Sequence, residues 1–343
     1  MTGRTVATVS NLDTAPVEET CGPSSASGIE VLHPREVPLG GPRAIHVRRT
    51  LPQRERSLVG AWCFADHYGP YDVRRSPGMV VPPHPHTGLQ TVSWLFDGEI
   101  EHRDSGGVHA VVHPGELNLM TAGAGICHSE VSTAGAAILH GVQLWAALPA
   151  WSRDAGRDFA HYVPQPLSLD GARLRLFVGE LHGVQSPVHT FTPLLGAQLD
   201  IDAGADTILD IDTRFEHGVL LDQGAVEVSG VPIDVGDLAC QSAGPATLPI
   251  SNTGPAAARV MLLGGTPFTE ELVMWWNFVG RSHDDIVLYR DLWESHDDRF
   301  GAVKGYTGTP ARLPAPPLPT TRLKPRPAGG GAESAGGHSD RVN

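Results

Sequence analysis

Between residues 91 and 263 the chain returns repeatedly to one form: a short β-branched, aromatic or aliphatic run closed at its ends by Gly, Pro, Asp or Asn. Residues 91–96, 108–112, 117–120, 138–144, 174–178, 219–221, 225–228 and 259–263 all have this form. Runs so short suit strands joined by turns rather than helices, and 40 Gly and 29 Pro supply the turns. The fold class expected is therefore all-β. Only residues 270–278 and 284–293 look locally helical, with Trp275, Trp276 and Trp293 as packing anchors.

At 343 residues the chain is too long for one ordinary core, and two domains are expected. An internal repeat agrees with this. LFDGEIEHRDS from Leu95 resembles LLDQGAVEVSG from Leu220, and VVHPGELNLMTAG from Val111 resembles VPIDVGDLACQSAG from Val231. The expected divisions are a disordered tail over 1–27, one β-module over 28–165, a second over 166–308, and a disordered Pro- and Gly-rich tail over 309–343. Residues 149–170, with Pro and polar residues, are where the first module hands over to the second. Both tails lack the apolar residues that would offset their ordering entropy.

A net charge of -13 gives no basic face for phosphate, so direct nucleic-acid binding is not expected. No run approaches a membrane span and the N-terminus lacks a signal-peptide pattern, so a cytoplasmic protein without membrane contact is expected. Cys21, Cys63, Cys127 and Cys240 are widely spaced and include no C-x-x-C, which argues against a disulfide framework or a Cys-based zinc site. Cys127 reads first as a small buried filler, although it precedes His128.

The chemistry concentrates in two pairs with i, i+2 spacing, His84 with His86 and His128 with Glu130. Side chains in a strand alternate with period two, so each pair shares a face, and two such strands side by side would build one mononuclear site. Three imidazoles and a carboxylate suit iron, nickel, copper, manganese or zinc better than calcium or magnesium. Pro83 and Pro85 confine the first strand to a sheet rim, and the glycines of MTAGAGI, residues 120–126, allow a turn or bulge that aims the second pair inward. Glu130 is the candidate base among the four. His102, His109, His113 and His140 read as exposed strand residues or hydrogen-bond partners of the ligands. Asp66 and His67 lack a nucleophile, so no hydrolytic triad is expected. With Gly98 matched to Gly224 and Gly115 to Gly236, the second copy places Asp210, Asp212, Pro249 and Ser251 where the first has its candidate ligands. That module is expected to hold no metal.

The string PPHPHTGLQTVSWLFDGEIEHRDS, followed by HPGELNLMTAGAGICHSE, resembles the defining region of the pirins, a family of the cupin superfamily. The similarity runs from about Gly28 through WWNFVGR at 275–281. It implies a bicupin, two facing antiparallel β-barrels with metal in the first alone, held by His84, His86, His128 and Glu130. It also implies one divalent transition metal, iron first, with Zn, Mn, Ni, Cu or Co as alternatives. Some pirins are similar to quercetin 2,3-dioxygenases, which implies a phenolic substrate and dioxygen. Others are described as transcriptional cofactors, which implies instead an iron-dependent, redox-sensing protein acting through a protein partner. The sequence departs from the family after HPH, where Thr87, Gly88, Leu89 and Gln90 replace Arg-Gly-Phe-Glu. It departs again at Leu119, usually aromatic, and at Cys127, usually Leu. These changes point to altered substrate choice and redox tuning rather than lost metal.

Overall fold

A computed structural model describes residues 28–39, 45–75 and 78–326. The expected N-terminal tail over 1–27 lies outside them, as do residues 327–343 of the C-terminal one. The described chain folds as an all-β bicupin, with antiparallel pairing throughout its named strands. In the first barrel a seven-stranded sheet runs Asp158–Tyr162, Leu117–Thr121, Leu89–Asp97, Ile138–Ala147, Trp62–Asp72, His46–Leu51 and Arg35–Pro38. Val80–His86, Ile126–Ser132, Ile100–Asp104 and His109–Val112 form its companion sheet. The second barrel repeats the plan. Its large sheet is centred on Glu216–Gln223, Ala258–Gly265 and Leu194–Ile201, and its small sheet on Asp206–Asp210, Thr247–Asn252 and Val226–Val228. Ile29–Leu32 pairs with Leu238–Gln241, so the start of the described chain belongs to the second barrel's sheet.

The period-two alternation decides how the barrels pack. On Leu89–Asp97 one face carries Val92 and Trp94, which join the largest buried cluster with Phe177, Leu194, Leu220, Met261 and Leu263 of the second barrel. Each such side chain, fully removed from water, stabilises by roughly 2 kcal/mol, so apolar burial dominates the seam. Its polar contacts fix register: Trp62 Nε1 donates to Leu195 O at 3.0 Å, and Trp94 Nε1 to Gln198 Oε1 at 2.9 Å. Gly60 shows how close the backbones come. A Cβ there would lie 2.6 Å from Gly265 Cα, and its φ of +54° also favours glycine.

Residues 270–278 are not helical: Val273–Trp275 and Phe278–Gly280 form a hairpin, with Trp276 at φ +53° in the turn. Aromatic and β-branched residues on both sides of a tight turn favour that outcome. The helix His283–Glu294 does form. Ser282 caps it, its Oγ accepting from Asp285 N while Asp285 Oδ2 accepts from Ser282 N, each at 3.1 Å. Phe278, Ile286, Trp293 and Phe300 pack on Cys127, so the chain returns from the second barrel to cover the first. The Pro-rich stretch differs from the disordered tail expected after residue 309. Through Arg326 it is laid against this cover, with Leu313 N donating to Pro83 O at 2.8 Å and Trp293 Nε1 to Leu313 O at 2.9 Å. Backbone hydrogen bonds and the Trp293 ring, over which Arg312 sits at 3.8 Å, supply the order that composition does not. Among the described residues no helix is long and apolar enough to cross a membrane.

Candidate metal centre

Val80–His86 pairs with Ile126–Ser132, and the register sets His128 opposite His84. A bulge between His128 and Glu130 then moves Glu130 out of step with its partner strand. The glycine-containing segment 122–125 turns the chain between Leu117–Thr121 and Ile126–Ser132. The ring centroids of His84 and His128 are 4.4 Å apart, and each is 5.0 Å from that of His86. His84, His86 and His128 each offer a nitrogen within 4.8 Å of the others, and Glu130 joins through a second such group with His128 and His102. All five are buried. The expected four residues thus fall in two adjoining groups that share His128, with His102 added.

The donor chemistry suits a transition metal. Burial pushes the His84 imidazole down to about 4 and those of His86 and His128 well below their usual value, so all three are neutral near pH 7. His84 Nδ1 lies 2.9 Å from Pro82 O and therefore carries the hydrogen, which leaves the Nε2 lone pair free. His86 Nδ1 and His128 Nε2 have no hydrogen-bond partner in the protein. Unpaired buried nitrogens are costly, and converging on one point they are what a metal ion would satisfy.

Around the centre lie residues that sequence reading did not single out. Ser93, on the face of Leu89–Asp97 opposite Val92 and Trp94, has its hydroxyl 3.1 Å from Glu130 Oε1 and 3.0 Å from Gln143 Oε1. Burial raises the Glu130 carboxyl above its ordinary range, against the pull of His102 and the Ser93 hydroxyl. Asp104 Oδ2 is 3.1 Å from His102 Nε2, and His102 Nδ1 is 3.4 Å from His128 Nδ1, so a carboxylate and an imidazole stand behind one candidate ligand. Trp145, stacked on Phe64 at 3.9 Å, meets the His86 ring edge-on at 5.0 Å. The signal for Ser93, Gln143 and Trp145 was their parity on strands. The partner strand was what sequence could not supply.

Other expectations resolve differently. Gln90 does not stand beside the centre: its Nε2 donates to Thr121 Oγ1 at 3.0 Å, on the same face as the seam residues Val92 and Trp94. Leu119 pairs with Val92 on that face, and Cys127 packs outward, its Sγ 3.6 Å from Gly301 O. Thr87 is buried at the edge of the hairpin, where its carbonyl accepts from Val279 N. His109 and His113 lie at the surface beside the carboxylates of Glu101 and Glu99. Asp66 holds Arg49 in a two-point ion pair at 2.7 and 2.8 Å. His67 and His140 converge on Asp222 at the seam, a third group able to hold a metal, but Arg48 and Arg259 contact that group and oppose a cation there. Cys63, Cys127 and Cys240 are free and buried. In the second barrel Asp210, Pro249 and Ser251 lie outside the core, which is filled by Leu209, Leu248 and Ile250, and Pro249 faces Ile208 rather than Asp210.

Comparison with known proteins bears on this centre. The family model for Pirin matches residues 44–146, and that for the Pirin C-terminal cupin domain matches residues 196–301. A Pseudomonas aeruginosa protein, provisionally named a quercetin 2,3-dioxygenase, is 43% identical over 83% of this chain and 89% of its own. A pirin-like protein of Caulobacter vibrioides is 35% identical over 73% of this chain and 88% of its own. A crystal structure described as quercetin 2,3-dioxygenase from Acinetobacter baumannii superposes with a TM-score of 0.81 at 36% identity, covering 87% of this chain and 98% of that one.

Proposed function

The chain belongs to the pirin family, and from that premise we propose that it is a metal-dependent dioxygenase. In this reading His84, His86, His128 and Glu130 hold one divalent transition metal, iron first, and the substrate is a flavonol such as quercetin or a similar enolisable phenol. The observation that carries the reading is the convergence of three buried, neutral imidazoles, two of their ring nitrogens otherwise unpaired, with the buried Glu130 carboxylate grouped beside the shared His128. The relatives named as quercetin 2,3-dioxygenases support the substrate class.

When bound, the ion would supply Lewis-acid and redox chemistry toward a phenol and dioxygen. The protein supplies the rest. Glu130 serves as both donor to the ion and base: its raised affinity for a proton suits it to take one from the substrate hydroxyl. Ser93 carries a single hydrogen, so it cannot donate to Glu130 and Gln143 together. With Glu130 ionised, the Ser93 hydrogen points to Glu130. With Glu130 protonated, Glu130 donates to Ser93 and Ser93 turns to Gln143. This switch gives a proton on Glu130 a buried acceptor. Trp145, stacked on Phe64, packs edge-on against His86, and Phe278 with its hairpin helps keep water from the outer side.

Elemental analysis of protein purified without added metal, alongside His128→Ala, tests the ligand set. The wild type is expected to hold metal and the variant to lose it; equal content in both would overturn the assignment. Oxygen uptake with quercetin, after reloading with Fe, Mn, Co, Ni, Cu or Zn in turn, tests the activity. No uptake with any of them would overturn it.

A further inference from the structure

The second barrel has its own opening, a cavity of about 950 Å3. His217 lies at its inner end. It alternates on Glu216–Gln223 with Glu216, which turns to Arg56 at the seam, and shares its parity with Val219 and Leu221 of the barrel core. The residue is 1% exposed, and neither ring nitrogen makes a hydrogen bond of ordinary geometry. Burial outweighs the favourable influence of Asp212 and the Phe215 carbonyl and brings the imidazole down to about 4. Near neutral pH the ring therefore presents one N–H and one lone pair, and only the Phe215 carbonyl, outside ordinary hydrogen-bond geometry, approaches it.

The chain makes room for this ring. Gly264 sits opposite His217 in the ladder, and a Cβ there would lie 3.1 Å from His217 Cδ2. Leu194, Leu195 and Phe215 line the cavity, and the Phe215 ring lies 6.1 Å from that of His217 at 33°. The carboxylates of the rim disfavour an anion. Asp212 and Arg214 neutralise each other at 2.6 Å, which leaves the carboxylates of Glu180 and Asp210 in excess.

We infer that this cavity is a second small-molecule site, separate from the metal centre, for a neutral hydroxyaromatic whose hydroxyl pairs with an imidazole nitrogen of His217. A buried polar group without a partner is destabilising, and a phenol would supply the missing hydrogen bond while its ring packs on Leu195 and Phe215. A carboxylate or phosphate in the same place would meet the acidic rim. The site binds and does not react, because it lacks the convergent donors of the first barrel.

The test uses the full chain loaded with zinc, which is diamagnetic, and isotope-labelled for imidazole NMR. Phenol is expected to move the His217 ring nitrogen signals saturably, with a Kd near the millimolar range, on the order of the affinity of small fragments. Benzoate at equal concentration is expected to leave them in place. His217→Leu is expected to weaken phenol binding, read from Phe215 and Leu195 signals, by about tenfold. No movement with phenol, equal movement with benzoate, or undiminished phenol binding by the variant would each overturn the site. Should His217→Leu fail to fold, the wild-type titration decides alone. Because the readout is His217 and not turnover, failure here is distinguishable from failure of the dioxygenase reading.

Discussion

Asp222 Oδ1, from the second barrel, lies 2.7 Å from His67 Nε2, from the first. Arg48 Nε donates to His67 Nδ1 at 3.3 Å, which fixes the tautomer so that Nε2 carries the hydrogen toward Asp222. His140 Nε2 sits 2.6 Å from the same carboxylate oxygen and Arg259 donates to the other at 3.2 Å. One buried carboxylate thus answers three nitrogen groups across the seam. Asp222→Leu leaves the His67 and His140 nitrogens without their carboxylate, while Arg259 keeps Asp200, and is expected to cost about 1 to 3 kcal/mol, read as a lowered urea midpoint at pH 7. A loss below about 1 kcal/mol would show that apolar packing alone holds the barrels together.

The Ser93 hydroxyl is the only side-chain hydrogen-bond donor recorded for Glu130 among the described residues. Ser93→Ala is expected to lower the kcat for oxygen uptake with quercetin by roughly ten- to hundredfold, the usual scale for residues that support metal ligands. Metal content by elemental analysis is expected to stay near that of the wild type. A variant with full turnover would remove Ser93 from proton handling.

The pH dependence of stability contains a contribution from His217. Its imidazole is held at about 4 in the folded protein, against an ordinary value of 6.5. Below pH 6.5 the unfolded chain takes up this proton while the folded one does not, so protonation favours unfolding. The stability contributed by the neutral ring is full above 6.5 and is lost as the pH falls toward 4. The difference amounts to about 3 kcal/mol. Urea titrations of metal-free protein at pH 7 and pH 4.5 are expected to diverge less in His217→Leu than in wild type. Equal divergence would show that His217 titrates normally.

The segment 310–326 holds the cover over the first barrel. Trp293 Nε1, Arg290 Nε and Pro83 O all bond to its backbone, at 2.9, 3.0 and 2.8 Å. Truncation after Thr309 removes these bonds, each with a net value of about 1 kcal/mol, and exposes one face of Trp293. A lowered Tm and a red-shifted tryptophan emission are expected. An unchanged spectrum would show that the segment does not rest on Trp293.

The pairing of His84 with His86 and of His128 with Glu130 was legible in the sequence because strand parity is a local property: residues two apart share a face whatever surrounds them. The all-β class was legible for the same reason. The helix His283–Glu294 could also be read, since its cap and its apolar positions are local. The hairpin of Val273–Trp275 and Phe278–Gly280 could not be, because its aromatic run fits either period until a turn at Trp276 and packing on Phe278 decide it.

Parity says nothing about which strand lies opposite or at what offset. Only the tertiary structure set His128 against His84, inserted the bulge before Glu130 and brought Ser93 and His102 to the centre. It also turned Gln90 to the seam and left Asp210, Pro249 and Ser251 outside the second core. A register shift of one residue exchanges the two faces of a strand, and register is fixed by contacts between residues far apart in the chain. Composition and spacing therefore determined what kind of chemistry this chain could carry, while the long-range pairing of strands decided which side chains share the site.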